Sequence, residues 1–473
     1  MLTDSVPVVQ ATPIDVLHDD VLIEIFDFHV TGGMYQTRKK AMEAWQSLVH
    51  VCRRWRCIVF GSPRRLNLRL VCTPETPVRE SLDVWPALPL IVVATGTISS
   101  TSADNIVAAL GYRDRVCQIR LPEVTRGLEW EKILAAMQAP FPALTGLLLG
   151  SRQGMGLSIL PDTFLGGSAP RLRYLDMDCI PFPGIPNLLL SATHLGRLDL
   201  SVIPSSGYVS PKAMATSLSE LTRLHTLHLS LEFPYSRSHR RPPPMTRSIL
   251  PGLTTFGFTG PSKYLDGLVK RIDAPRLDYL SITFPFDQLN LNTPHAHLVQ
   301  FISRTPGFQE PNEAHVALEL DAEVRLLRVS DDYARLRVKI SYEDLEGDPE
   351  PSSIAQLCAM CLPPLPTVEN LRLEEDLCSE LESDWKDNVE TDQWLELLRP
   401  FTAIKNLYLS EDFQPDIASA LQELVGGRTT EVLPSLQNIF LANFEPSGSF
   451  QEAIGQFVAA RQLSGHPILV LPL

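Results

Sequence analysis

Cys358 and Cys361 form the closest cysteine pair in the chain, spaced as a metal or redox site would space them, with Cys378 seventeen residues further on. A structural zinc ion takes four ligands in a tight tetrahedral set. Neither a second Cys-x-x-Cys nor a histidine pair follows, so two small buried thiols on one helix are the simpler expectation. His225 and His228 straddle Leu227 in an apolar run, and His295 and His297 lie beside Pro294 in a turn. No nucleophile, base and orienting group stand at an interpretable spacing. The phosphate-cradling Gly-x-x-x-x-Gly-Lys loop, the Gly-x-Ser-x-Gly elbow and the His-Glu-x-x-His helix are absent. These patterns point to no catalytic residue, no metal and no cofactor.

Charge is distributed unevenly. The stretch 233–248 carries Arg237, His239, Arg240, Arg241 and Arg247 around Pro242, Pro243 and Pro244, which suits an excursion that packs no core. The stretch 374–392 holds nine carboxylates and one lysine, a local −8 within a chain of net charge −14. Both are expected as solvated loops, with an oppositely charged partner as the alternative. A third loop, acidic like 374–392, is expected at 341–353. The overall acidity, with a pI near 5.3, argues against a nucleic-acid binder, whose affinity comes largely from neutralising phosphates. No apolar run is long enough for a membrane span, and residues 1–12 read as a flexible tail rather than a secretory signal. Eight scattered cysteines, several in apolar stretches, suit reduced thiols in the cytoplasm or nucleus.

The elements that must position anything in this chain begin at Pro13. Val21, Leu22, Ile25 and Phe26 make one stripe of an amphipathic helix that Asp19 or Asp20 can cap. Trp45, Leu48, Cys52, Trp55 and Val59 repeat the helical period further on, after a break at Gly32-Gly33. Arg38-Lys39-Lys40 between them reads as a solvated face. Together, residues 13–62 resemble the F-box, whose pattern runs Leu-Pro-x-Glu, Leu-Leu-x-x-Ile-Phe and Val-Cys-Lys/Arg-x-Trp. Leu17, Leu22, Ile25 and Phe26 match the first part, and Val51, Cys52, Arg53 and Trp55 the second. Asp20 stands in place of Glu, and His18 in place of Pro. The resemblance implies docking on a Skp-type adaptor, and through it on a cullin, by a face made of Leu17, Leu22, Ile25, Phe26, Val51, Cys52 and Trp55.

Residues 63–473 carry a second pattern. Strands are expected near 64–71 and 86–94, and a short helix from Ser102 to Leu110 before Gly111. An apolar-x-x-apolar-x-apolar unit then recurs ten times, from Val116/Ile119/Leu121 to Leu436/Ile439/Leu441. Ile119, Leu147 and Leu175 are 28 residues apart, and the steps from Leu175 to Leu280 run from 23 to 29. This spacing resembles leucine-rich repeats. The turn Asn or Cys of that family is missing, which implies an irregular array. Between Ile282 and Val368 the phase is lost. Segments 315–320, 323–329 and 335–340 look like strands of either distorted repeats or a small antiparallel insert, with helices near 297–303 and 353–362.

The expected fold class is α/β: a helical F-box followed by an irregular leucine-rich-repeat solenoid of parallel strands with helices or loops on the convex side. An F-box followed by such an array resembles the F-box/leucine-rich-repeat receptors, including the divergent set of basidiomycete fungi. That implies the substrate-recognition subunit of an SCF-type ubiquitin ligase, with no chemistry of its own. A repeat scaffold outside the ubiquitin system is the alternative. Residues alternating with the inward leucines would line the concave face and meet the protein substrate. They are Tyr174, Asp176, Asp178, Arg197, Asp199, His228, Tyr279, Arg372, Tyr408 and Phe440. Thr255, Gly257 and Thr259 would make the middle of that stripe small enough for a bound segment to approach the backbone.

Overall fold

The computed structural model describes residues 13–31, 44–61, 68–85, 87–232, 247–286, 289, 295–318, 321–328, 333–342, 351–363, 365, 367–374, 390–424, 428, 430–442 and 449–473. The tail 1–12, Gly32-Gly33, Arg38-Lys39-Lys40, Cys378 and most of the loops expected at 233–248, 341–353 and 374–392 lie outside them. The chain divides into two compact units, Met1–Met177 and Asp178–Leu473. The division falls inside the repeat array rather than after residue 62. In a stack where each repeat touches only its neighbours, sequence pattern alone privileges no single boundary.

The first unit opens with helix α1 (Asp19–Thr31), whose Asp19 and Asp20 sit in the first turn, where the helix dipole favours negative charge. The second half of the helical pattern is not one helix. It breaks at Cys52 into α2 (Ala44–Val51) and α3 (Arg53–Gly61). Cys52 Sγ accepts the Trp55 backbone N–H at 3.4 Å, much as a short polar side chain caps a helix start. Leu22 and Phe26 are fully buried, and the Trp55 ring lies 4.6 Å from that of Phe26. Arg54 donates to Asp19 Oδ1 through Nη2 at 2.7 Å and Nε at 3.1 Å, and also to the Leu17 carbonyl. An aromatic pair and an ion pair therefore join the two halves of the sequence pattern.

Five strands follow: β1 (Leu68–Val71), β2 (Leu90–Val93), β3 (Val116–Val124), β4 (Gly146–Ser151) and β5 (Tyr174–Asp178). β1 to β4 pair in parallel in chain order, with Ile119 opposite Leu147 and Leu121 opposite Leu149. The array thus begins two strands before its first leucine motif. Helices α4 (Val78–Val84), α5 (Ser100–Leu110) and α6 (Leu128–Ala136) return the chain between strands. Ser99 caps α5 by accepting the Ser102 N–H at 3.2 Å.

The second unit continues the pattern with β6 (Arg197–Ile203), β7 (Thr226–Leu231), the short β8 (Ser248–Ile249), β9 (Thr255–Thr259), the short β10 (Ile272–Asp273) and β11 (Tyr279–Pro285). β6, β7, β9 and β11 pair in parallel, while β8 and β10 form a separate two-stranded ladder. The return helices are α7 (Ile185–Ser191), α8 (Pro211–Leu218), α9 (Ser262–Val269), α10 (Ala296–Arg304), α11 (Pro351–Cys361), α12 (Thr391–Leu398), α13 (Gln414–Gln422) and α14 (Ser449–Leu463), each packed on the next. Neighbours also hold one another's ends. Asp266 on α9 accepts the His297 and Leu298 N–H groups of α10 at 3.1 and 3.2 Å, satisfying donors that a helix start leaves open. Arg461 on α14 is fully buried and donates to the Pro434 and Leu436 carbonyls at 3.3 and 3.2 Å.

Where the repeat phase is lost, the chain builds an antiparallel insert inside the sheet. Strands β12 (Glu313–Leu318), β13 (Asp321–Leu327) and β14 (Leu336–Ser341) form a meander. It is laid down backwards: β14 pairs parallel to β11, and β12 pairs parallel to β15 (Asn370–Glu374). The crossover through α10 skips two strand positions, which β13 and β14 then fill. An odd number of strands lets both outer ones run parallel to the array. β16 (Asn406–Leu409), β17 (Asn438–Leu441) and β18 (Leu469–Pro472) complete the parallel order. All ten leucine motifs lie on or run into strands, with their apolar positions buried.

Because Phe26 is fully buried, Phe26→Ala is expected to cost about 3–5 kcal/mol of local stability. Arg54→Ala removes a half-exposed ion pair worth at most about 1 kcal/mol. Hydrogen exchange across 19–31 and 44–61 checks both: the first variant accelerates it strongly, the second slightly, and exchange of β15 to β17 is unchanged.

Candidate functional site

A strand directs alternate side chains to opposite faces. In the second unit the inward set is leucine, isoleucine, valine, alanine and phenylalanine, so the other set forms an open face across the sheet. Strand register sorts its insert half into rows. The middle row reads Ser281, Arg337, Arg325, His315, Arg372, Tyr408 and Phe440, each directly opposite the next on the neighbouring strand. A row on one side contains Lys339, Glu323, Ala317 and Glu374; the row on the other contains Glu313, Asn370, Asn406 and Asn438.

The rows are tied together by charge. Glu323, only 5 % exposed, accepts Arg325 Nε at 2.6 Å and Arg337 Nη2 at 2.7 Å. Burial by itself would raise the Glu323 carboxyl; the hydrogen bonds from Arg337 and Arg325 outweigh it and hold the group below the ordinary carboxylate range. The same hydrogen bond to Glu323 holds the Arg337 guanidinium above its usual value, against burial, with Tyr279 contributing. Glu313 accepts Arg372 Nε at 2.6 Å and pairs with His315 Nε2 at 2.9 Å, while His315 Nδ1 lies 3.3 Å from Glu374. Burial alone would lower the His315 pKa, but the bonds to Glu374 and Glu313 win and raise it. Lys339 pairs with Asp321.

Beyond the charges lies an aromatic platform. The Arg372 guanidinium sits 4.2 Å from the Tyr408 ring centroid, and Tyr408 stacks on Phe440 at 4.5 Å and 9°. Beside it the Asn406 amide donates to Asn370 Oδ1 at 2.8 Å and the Asn438 amide to Asn406 Oδ1 at 2.7 Å. This asparagine ladder locks the register of β15, β16 and β17 on the open face.

The structure groups the residues expected to meet substrate unevenly. Arg372, Tyr408 and Phe440 come together, and Tyr279 stands near Arg337. Arg197 pairs with Asp199 at 3.1 Å, and Ser201 donates to Asp199 at 2.8 Å. Asp178 has a raised pKa, from burial first and with Asp199 contributing. In the first unit, Tyr174 donates to Asp176 at 2.6 Å. The expected open space over Gly257 is not there. The His228 ring, opposite in register, lies where a Gly257 side chain would stand. Gly257 makes room for a histidine rather than for a bound segment.

The adaptor-docking set also splits. Leu22 and Phe26 are core residues, because the i, i+4 stripe of α1 faces Trp55. Leu17 and Trp55 are half-buried, and Ile25, Val51 and Cys52 are exposed. The cysteine pair on α11 is inert in the way a core thiol is: burial raises Cys361 and pushes Cys358 up to about 12, so neither forms a thiolate near neutral pH.

Glu313, His315, Glu323, Arg325 and Arg337 were hidden by the lost repeat phase. Their signal was charge at every second position of three strands, which places those charges on one face before any pairing is known.

No family model matches the chain, and no curated protein matches it. Sixteen chains of solved structures match. One is a leucine-rich repeat-containing protein, LegL7, from Legionella pneumophila, 14 % identical with a TM-score of 0.26, over 85 % of this chain and 98 % of that one. The parallel strands and serial return helices described above define the repeat fold independently of that likeness.

Two expectations follow from this geometry. A raised folded pKa means that the His315 ion pairs stabilise fully below the unfolded value of 6.5 and fade as pH rises through the folded value. His315→Gln should therefore lower the urea midpoint more at about pH 5.5 than at about pH 9. Gly257→Ala should displace the His228 ring, seen as a shift of its imidazole NMR signals, at a cost of about 1–3 kcal/mol.

Proposed function

We propose that the chain is a non-enzymatic substrate receptor of an SCF-type cullin–RING ubiquitin ligase. Helices α1 to α3 dock on a Skp-type adaptor, and the open face of the repeat sheet holds a protein substrate. Tethering substrate near the ligase raises its effective concentration at the site of transfer without any chemistry in this chain.

The observation that carries this is how the helical module spends its apolar residues. Leu22 and Phe26 build its core, while Val16, Val21, Ile25, Phe28 and Val51 are left exposed, Phe28 by 78 % and Val51 by 57 %. Six of the seventeen large apolar side chains exposed among the described residues fall within 13–31 and 44–61. Concentrated exposure of this kind marks an interaction surface. The matches to the F-box pattern give that surface its partner. A cytoplasmic or nuclear location follows from the role, and no helix among the described residues is long and apolar enough to cross a membrane.

Ile25→Asp with Val51→Asp tests the docking without touching the core. Calorimetry against a Skp-type adaptor should show binding by the natural chain and at least about a hundredfold loss in the double variant, since two buried apolar anchors would each contribute about 2 kcal/mol. Circular dichroism should be unchanged. A natural chain that stays alone at micromolar adaptor would remove the ligase role and leave an interaction scaffold built on the repeats.

A further inference from the structure

In a chain with 55 acidic and 41 basic residues, cations gather where β8 and β10 form their own ladder outside the main sheet. Ser248 pairs with Ile272 and Ile249 with Asp273, so Arg247 and Arg271, just before those pairs, enter the ladder side by side. Arg247 donates from Nε to the Lys270 carbonyl at 3.4 Å, and Arg271 from Nη1 to the Gly267 carbonyl. Arg304, at the end of α10, donates from Nη2 to the Val269 and Ile272 carbonyls at 3.0 and 2.9 Å and pairs with Asp273. Most of these oxygens close the C-terminal end of α9, which favours positive charge but carries only about half an elementary charge itself. Among the described residues, no carboxylate forms an ion pair with Arg247, Lys270 or Arg271. Asp266, one turn back on α9, is engaged by the His297 and Leu298 N–H groups. Arg247, Lys270, Arg271 and Arg304, less Asp273, Asp266 and the helix end, still sum to about +1.5. The Arg304 guanidinium registers that surplus: burial first, and then the nearby Arg247, hold it below its ordinary value despite Asp273. Arg247 is exposed, Lys270 and Arg271 are half-buried, and Ile249 beside them is 61 % exposed.

We propose that this ladder docks an acidic segment of a partner protein, with its carboxylates on Arg247, Lys270 and Arg271 and an apolar side chain on Ile249. The surface lies off the main sheet and is additional to the open face. Guanidiniums bind carboxylates through paired N–H donors, and Arg247 and Arg271 present two such forks about 5 Å apart, one strand spacing. Arg304 stays on Asp273 and the α9 carbonyls and holds the base of the cluster in place. An RNA strand or an anionic membrane extends far beyond the ladder and meets a chain of net charge −14. A short acidic segment meets only the local field, because charges are screened within about 8 Å at physiological salt. Ile249 also suits a side chain of a protein segment better than a sugar-phosphate strand.

The test uses the full chain and two fluorescent peptides of about ten residues, with a central Glu-Glu-Leu-Glu or Gln-Gln-Leu-Gln in a Gly/Ser background. Fluorescence anisotropy at low salt should show the Glu peptide binding about tenfold or more tighter, and the difference should shrink as salt rises. Arg247→Gln with Arg271→Gln keeps N–H donors for the carbonyls and should bring the Glu peptide to the Gln level. Arg247→Lys with Arg271→Lys should restore part of the difference. Lys270→Gln changes a side chain that makes no hydrogen bond among the described residues, so it should weaken the Glu peptide without moving the urea midpoint. Arg113→Gln with Arg126→Gln removes the same charge from exposed positions of the first unit and should leave binding unchanged. An equal loss in that control would mark a general charge effect and overturn the proposal. Equal binding of the two peptides, or Glu-peptide binding unchanged by Arg247→Gln with Arg271→Gln, also overturns it. So does an RNA oligonucleotide or an anionic vesicle that binds more tightly than the Glu peptide at matched anion concentration. The Ile25→Asp/Val51→Asp variant should bind the peptides as the natural chain does, so a failed adaptor role and a failed peptide site give different results.

Discussion

Every other feature of this protein depends on the stacking of inward apolar side chains between in-register parallel strands. A single strand with two or three leucines and one short helix cannot bury them, whereas the same unit between two copies buries them almost entirely. Leu227 between Leu198 and Phe256, or Leu407 between Leu371 and Ile439, are fully buried for that reason. The constraint is strict about period and register and indifferent to most else. It tolerates the missing turn asparagine, return helices of seven to fifteen residues, and phenylalanine in place of leucine at positions 256 and 258.

The same constraint explains how an antiparallel meander sits inside a parallel stack. The inward positions of β12, β13 and β14, among them Val316, Val324 and Val338, continue the buried layer without a break. Strand direction reverses, but the core sees only side-chain alternation. On the open face the insert differs from the rest of the second unit. The strands before it carry mainly Thr, Ser and Gly there, while the insert and β15 carry the charged network. The insert is thus the place where a repetitive frame acquires a local chemistry.

That network shows how magnitudes divide the work. A guanidinium–carboxylate pair on an open surface contributes little. Glu323 is different because it is nearly inaccessible and bound by two arginines; losing both would leave a buried carboxylate uncompensated. The ladder of Asn370, Asn406 and Asn438 adds specificity rather than bulk stability, since an amide offers both donor and acceptor and each links only to a neighbour in correct register. Together these side chains hold the face rigid around Arg372 and Tyr408.

How much of this was legible beforehand follows from the range of each interaction. Period and alternation are local, so the ten leucine motifs, the helices of 13–62 and the alternating faces of β15, β16 and β17 could be read from residue order. The break at Cys52 could not, because the apolar period runs through it unbroken while the Cys52 thiol caps the start of a new helix. Nor could the core role of Phe26 against Trp55, which needs α1 and α3 to be packed. His228 filling the space over Gly257 depends on which strands are neighbours. The charged row depends on more: strands far apart in sequence, Arg337 and Arg372 among them, had to be placed in a reversed order that residue spacing does not specify. Sequence alone determined which side chains face inward and which outward, since that is set within each strand. Tertiary structure decided which outward side chains meet, because strand order and register are chosen by the whole buried layer at once.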